Sequence, residues 1–351
     1  MRRFNIYTFY HNDLYCRLFY KSLEKYDVKV IYHELDLNWF LNNREKIDFV
    51  HFHWPEFYYS SPQKLTQIYL TIKLSIFLLV IKFFNKKIIW TAHNAYPHNV
   101  IEPNFIEFIS RLSMVLFANL IFVHSATSKG IITKNFPFSS NKICVIKHGN
   151  YINYYLNDIT FFEARRSLKI NKDAYIYLFI GACKPYKGLE TLIEAFRRVE
   201  GEKNVLLIVG HFLDKAYYEK ISNSISKKYK EKKDIILIDK YIPDHEIQYY
   251  LNASNVLVLP YRNILTSGTA LLGLSFGIPI IAPQKGFFVD LIENNSLGLL
   301  YDGTSVKDLA RKMHKIKSLK FSKKQIIKHT RKFDWNEVGK SSYGFLLKLV
   351  S

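Results

Sequence analysis

What is scarce in this 351-residue chain narrows its chemistry before any motif is read. Only three cysteines occur, Cys16, Cys144 and Cys183, far apart and with no Cys-x-x-Cys pair. They predict neither a disulfide framework nor a zinc site, and they suit a reducing compartment. Acidic residues are also few, 30 Asp and Glu against 50 Lys and Arg, leaving a net charge of +20. There is no Asp-x-Asp triplet to hold a divalent ion. Internal repeats, low-complexity linkers, zinc-finger spacing, RNP-like aromatic motifs and helix-turn-helix patterns are all missing. The basic balance therefore does not read as nucleic-acid binding. An anionic membrane face or phosphorylated substrates remain as partners for such a charge. The opening MRRFNIYTFYHND has an apolar run too short and too polar for a signal peptide, so the expected location is the cytoplasm.

Aromatic residues, by contrast, are abundant: 27 Phe and 25 Tyr help bring the aromatic share to 16%. The length favours two domains over one core. Short β-branched or aromatic runs alternate with helical patterns, which predicts α/β structure with parallel sheets. One series of strands is expected at 4–9, 28–32, 49–53, 88–92, 120–123 and 143–146. A second is expected at 175–180, 205–209, 235–238, 256–259 and 279–282. The polar stretch 150–173 reads as the crossover, with a domain boundary near 160, and Asp334 reads as the cap of a last helix. Lysines 227–233 read as a solvated helix face. The apolar run 68–84 is interrupted by Lys73 and Lys82 and is short for a membrane span. It reads first as a buried helix. The alternative is a face lying on an anionic membrane, with Lys64, Lys73, Lys82, Lys86 and Lys87 near the headgroups.

Two turns look made for a diphosphate. Gly181-Ala182-Cys183-Lys184-Pro185-Tyr186-Lys187-Gly188 places two cations in a glycine-bounded turn between an apolar strand and an amphipathic helix carrying Leu189, Leu192, Ile193, Phe196 and Val199 on one face. Its bland counterpart is an exposed turn with two surface lysines. Thr266-Ser267-Gly268-Thr269 follows the strand 256–259 and offers hydroxyls and backbone amides at a helix mouth, with Arg262 just before it. Together they point to an enzyme whose leaving group is a nucleoside diphosphate. The first half carries polar clusters at strand ends: His51-Phe52-His53-Trp54-Pro55-Glu56, Thr91-Ala92-His93-Asn94 through His98-Asn99, and Val123-His124-Ser125. Histidines and a carboxylate at one sheet edge suit proton abstraction from a hydroxyl. His148-Gly149-Asn150 closes the last strand of the first series.

These residues resemble the GT-B glycosyltransferases over nearly the whole chain. The resemblance implies two Rossmann-like domains facing a central cleft, an acceptor domain at 1–160, a nucleotide-sugar domain at 161–333 and a helix at 334–351 returning to the first. The Gly181-to-Lys187-Gly188 turn resembles the family's diphosphate loop, with Ala182 where arginine is common and Lys184 as a substitute charge. Retaining relatives carry two glutamates at places occupied here by Ile264 and Leu272. His53-Trp54-Pro55-Glu56, Thr91-x-His93-Asn94-x-x-Pro97-His98, His148-Gly149-Asn150-Tyr151 and Leu265-Thr266-Ser267-Gly268-Thr269 instead resemble the bacterial β-mannosyltransferases of exopolysaccharide assembly. That type implies transfer of a hexose, mannose first, from a GDP- or UDP-sugar to a glycan or lipid-linked oligosaccharide, with inversion and without metal or other cofactor. Glu56 and His93 are then the candidate bases. Gly181, Lys184, Lys187, Arg262, Thr266, Ser267, Gly268 and Thr269 bind the donor, and His53, Asn94, His98 and His148 line the acceptor side. The setting is the cytoplasm, on the inner face of the cell membrane if the basic helix contacts it. A retaining transferase using a UDP-sugar, an epimerase and a glycan-binding protein without transfer remain the alternatives.

Overall fold

The computed structural model describes residues 3–9, 13–96, 104–201, 203–226, 235–293 and 295–350. His98 and the lysine run 227–233 lie outside them. Two compact units are present, one formed by 1–149 with 333–351 and the other by 150–332.

The first unit holds β1 (Phe4–Thr8), β2 (Val28–Tyr32), β3 (Phe49–Phe52), β4 (Lys87–Thr91), β5 (Leu120–Val123) and β6 (Ile143–Val145). All pairings are parallel, in the order β2-β1-β3-β4-β5-β6. Helices α1 (Leu14–Glu24), α2 (Leu37–Asn43), α3 (Lys64–Phe83), α4 (Phe105–Phe117) and α5 (Ala126–Asn135) connect them. β3 and β5 are buried along their whole length, as strands covered on both faces must be. Asp13 starts α1 by accepting from the Tyr15 amide at 2.8 Å, and Tyr15, Cys16, Phe19, Tyr20 and Leu23 then turn inward.

α3 departs from the first sequence expectation. Its inner face buries Thr71, Leu74, Phe77, Leu78 and Ile81, and Thr71 Oγ1 meets Ser110 Oγ of α4 at 2.8 Å. Its outer face, however, exposes Leu65, Tyr69, Ile72, Ile76, Leu79 and Phe83 at helical spacing. Length and composition alone would allow this helix to cross a membrane.

The second unit holds α6 (Phe161–Ser167), β7 (Tyr175–Ile180), α7 (Leu189–Phe196), β8 (Asn204–Val209), α8 (Lys215–Ser226), β9 (Ile235–Ile238), α9 (Ile247–Ala253), β10 (Val256–Val258), α10 (Gly268–Ser275), β11 (Ile280–Pro283), α11 (Phe287–Leu291), β12 (Gly298–Tyr301), α12 (Val306–Ile316) and α13 (Lys323–Thr330). Its sheet is again parallel, in the order β12-β11-β10-β7-β8-β9. The stretch expected as a plain crossover contains α6, started by a Thr160–Glu163 capping box. Where the sequence places a boundary near 160, the units divide after Gly149. Residues 151–158 pack on the second unit, through the Tyr151 amide on Ser275 Oγ (3.0 Å) and the Asp158 amide on Gln248 Oε1 (3.1 Å).

The chain returns to the first unit as α14 (Trp335–Val350), whose start Asp334 caps by accepting from the Asn336 amide at 2.7 Å. α14 lies against α1 so closely that a Cβ on Gly339 would stand 2.3 Å from the Ser22 carbonyl oxygen.

Candidate active site

In the second unit, the strand order reverses between β7 and β10: β8 and β9 extend the sheet on one side, β11 and β12 on the other. Open parallel sheets bind ligands at the carboxyl ends flanking such a switch. The lysine turn follows β7 and the Thr266–Thr269 turn follows β10, so both motifs stand at that point. Gly181 measures their convergence. Its φ is 119°, and a Cβ there would lie 3.2 Å from Lys187 Nζ and 3.7 Å from Thr269 Oγ1. The two turns are locked together as well. The Arg262 amide donates to the Tyr186 carbonyl at 2.8 Å, and a Cβ on Gly188 (φ 70°) would strike the Pro260 oxygen at 2.2 Å.

Lys187 is only 7% exposed, with Nζ 5.8 Å from the Phe179 ring centre and 5.4 Å from that of Tyr261. Burial alone would lower its pKa, but the phenols of Tyr261 and Tyr186 hold it above the ordinary lysine value. No ion pair among the described residues includes it. Ser267 caps α10 by accepting from the Ala270 amide at 3.2 Å, and Thr266 Oγ1 is buried without a partner among the described residues. The amide-bearing start of α10 at Gly268 thus faces the same switch point. Lys184 opens the turn half-buried. Arg262 is placed beside the turn but aimed elsewhere: its guanidinium donates to Glu190 Oε2 at 3.2 Å, and Glu190 also accepts from Lys220 Nζ at 2.9 Å and Tyr217 Oη at 3.1 Å. Gly210, which the motifs did not single out, sits against Gly181 with φ 151° and no room for a Cβ, which would lie 2.0 Å from the Gly181 oxygen.

The first unit gathers its histidines at the carboxyl ends of β3 to β6. His51, His53, His93, His124 and His148 are all buried. Tyr15 of α1 sets its ring edge-on to His93 (4.7 Å between centres) and His124 (5.2 Å), and tilted on His148 (4.9 Å). Trp54 stacks on His93 at 4.3 Å and 15°. Desolvation pulls His51 and His124 down to a pKa of about 3 and His148 to about 4, and it takes His53 well below the usual histidine range. Four of the five imidazoles are therefore kept from accumulating charge. Among the described residues no set of three His, Cys, Asp or Glu side chains has the arrangement of a metal site.

Glu56 is committed on both oxygens. Oε1 accepts from Asn94 Nδ2 at 2.7 Å, and Oε2 pairs with Arg111 at 3.3 Å. Arg111 is fully buried, 4.9 Å from the Trp90 ring centre. Glu56 thus holds the Asn94 amide with one oxygen and meets the buried Arg111 guanidinium with the other. His93 follows β4, with its Nε2 3.1 Å from His53 Nδ1. His148 ends the row, its Nδ1 bonded to the Gly149 carbonyl at 2.8 Å. Sequence reasoning missed the supporting residues Tyr15, Tyr20 and Arg111. The last was visible as the one cation within α4.

Residues 160–333 match the family of glycosyl transferases group 1. A GDP-mannose:glycolipid 4-beta-D-mannosyltransferase of Xanthomonas campestris pv. campestris is 24% identical over 68% of this chain, and the match spans 62% of that relative's length. Sucrose-phosphate synthase from Thermosynechococcus elongatus superposes over 99% of each chain with a TM-score of 0.76 at 16% identity. Anabaena HepE, in complex with UDP and glucose, superposes over 99% of this chain and 100% of its own with a TM-score of 0.75 at 12% identity. Two parallel six-stranded sheets in this order, on a chain with these likenesses, are the GT-B architecture. The chain thus has the GT-B fold, and its residues 160–333 match the glycosyl transferases group 1 family.

Proposed function

We propose that the chain moves a hexose, mannose first, from a GDP-sugar to a hydroxyl of a lipid-linked oligosaccharide or other glycan in surface polysaccharide synthesis. The observation that carries this reading is the buried ammonium of Lys187 at the switch point, beside Thr269 and the start of α10, with no carboxylate paired to it among the described residues. A buried cation is costly unless something anionic joins it, and a diphosphate supplies that charge. In the transfer, the acceptor oxygen bonds to the anomeric carbon while the bond from that carbon to the diphosphate oxygen breaks. Lys187 and the α10 amides take up the negative charge that develops there, and His93 receives the hydroxyl proton. The charge is thus met by side chains and amides, and no step is assigned to a metal. Inversion is supported by this basic residue in the first unit and by the apolar Ile264 and Leu272 where retaining relatives bear glutamates. The GDP-mannose preference rests on the Xanthomonas relative's name.

The outer face of α3, seven exposed apolar side chains with Lys64 and Lys73 also exposed, supports contact with the inner, anionic face of the cytoplasmic membrane, where a lipid-linked acceptor resides. Lys187→Ala tests the donor assignment. Release of nucleoside diphosphate in the presence of acceptor should fall about 100-fold or more, and GDP-mannose should no longer raise the melting temperature. A wild-type rate in this variant overturns the reading.

A further inference from the structure

The second unit has a cavity of about 290 Å³ at the end of its sheet opposite the two donor turns. Tyr175 opens β7, Asn255 precedes β10 and Pro279 precedes β11, so these lining residues all stand at the amino ends of strands. Phe161, Phe276, Ile278, Leu319 and Phe321 supply an apolar wall, and none of the described residues lining the cavity is acidic. The volume lies just below the usual range of ligand pockets, about 300–1,000 Å³, which limits an occupant to a small molecule.

The polar groups that line it are fixed from behind. Arg165 of α6 is buried and donates to the carbonyls of Ala253 (2.9 Å), Asn171 (3.3 Å), Lys172 (2.7 Å) and Ala174 (2.7 Å) and to Asn255 Oδ1 (2.8 Å). The same Asn255 oxygen accepts from the Ile176 amide at 2.8 Å. Two donors on that oxygen settle which way the side-chain amide faces, and its Nδ2 keeps two N–H groups with no partner among the described residues. Tyr175 Oη has no hydrogen-bond partner among them either, and burial raises its pKa to about 12, so the phenol keeps its proton. Lys323, at the start of α13, donates to Asn252 Oδ1 at 3.1 Å and has further N–H groups to give. Partial desolvation lowers its pKa, a cost that a neighbouring anion would remove.

We propose that this cavity is a second ligand site, for a small carboxylate with an aromatic body. The free groups of Asn255, Tyr175 and Lys323 are all donors, which suits a head group that only accepts. The single lysine among them suits a single negative charge. A carboxylate meets both conditions, and the apolar wall takes up its ring. The donor turns stand at the other ends of these strands, so the proposal does not depend on the transfer described above.

The test is calorimetric titration of the full chain with phenylacetate, its neutral analogue 2-phenylethanol, and acetate. Phenylacetate should bind with a Kd of about 1 mM or tighter, and about tenfold or more tighter than either control. Lys323→Gln, at an exposed position, should weaken it about tenfold or more. Tyr175→Phe, which keeps the ring, should weaken it about three- to tenfold. Lys187→Ala, at the donor turns, should leave it within about twofold. The proposal is overturned if phenylacetate binds more weakly than about 1 mM, if either control matches it, or if both cavity variants bind it as well as the native chain does. Loss of binding in Lys187→Ala alone would put the ligand on the donor turns and overturn the proposal equally.

Discussion

Acid should unfold the first unit before it harms anything else. The buried histidines have folded pKa values below the unfolded value of 6.5, about 3 for His51 and His124 and about 4 for His148. Below pH 6.5 the unfolded chain therefore binds protons that the folded one refuses. The stabilisation is fully present above that pH and is lost as pH falls from about 6.5 toward 4 and 3. At pH 5 the gap is about 1.5 units per histidine, or about 2 kcal/mol each at 1.36 kcal/mol per unit. Three such groups cost about 6 kcal/mol, within the range of a whole domain's stability. Asp13 and Glu107, whose carboxyls burial raises, act in the opposite sense. The assay is urea unfolding followed by tryptophan fluorescence, since all four tryptophans, Trp39, Trp54, Trp90 and Trp335, belong to the first unit. With a denaturant slope of about 2 kcal/mol per molar, the midpoint should drop by about 3 M between pH 7.5 and pH 5. A midpoint that moves less than about 0.5 M would refute the reasoning, because at least three imidazoles would then have to titrate alike in the folded and unfolded chain.

Two further outcomes are expected. Gly188→Ala should destabilise the second unit by about 2–4 kcal/mol, because the residue has φ 70° and its Cβ would meet the Pro260 oxygen at 2.2 Å; calorimetry resolves the loss. Replacing Leu65, Ile72 and Leu79 together by glutamate should cut binding to phosphatidylglycerol-rich vesicles by about tenfold or more, with the far-ultraviolet circular dichroism unchanged. Undiminished binding would remove the membrane from the functional reading.

Most of the two sheets was legible in the sequence because fully buried parallel strands announce themselves as short apolar runs. β12 was not, since it starts at Gly298, where a side chain would collide with the Ile280 oxygen at 1.9 Å. The same glycine that makes the strand possible hides it from a propensity reading. α6 could have been found from Thr160 and Glu163, but the polar composition around them masked it. The donor turns were legible as cations and small residues after strands. The partner that holds Arg262 was not, because Glu190 lies 72 residues away and is brought close only by the packing of the second unit. In the first unit the histidines were visible at strand ends. Tyr20 was invisible as chemistry because it shares the apolar stripe of α1 with Phe19 and Leu23, and only the register of β3 brings His51 and His53 to its hydroxyl.

The return of α14 to α1 has a consequence for how the protein is made. Residues 150–332 form a unit contiguous in sequence, while the first unit is split around it, its opening 149 residues waiting for Trp335 to seat beside Gly149 and Tyr15. At about 5–20 residues per second of synthesis, that wait lasts about 10–40 s. Throughout it, the apolar stripe of α1 has nothing from α14 to cover it. The nascent chain therefore has a window in which its second half can be complete while its first is still open, and chaperone capture would belong to that interval.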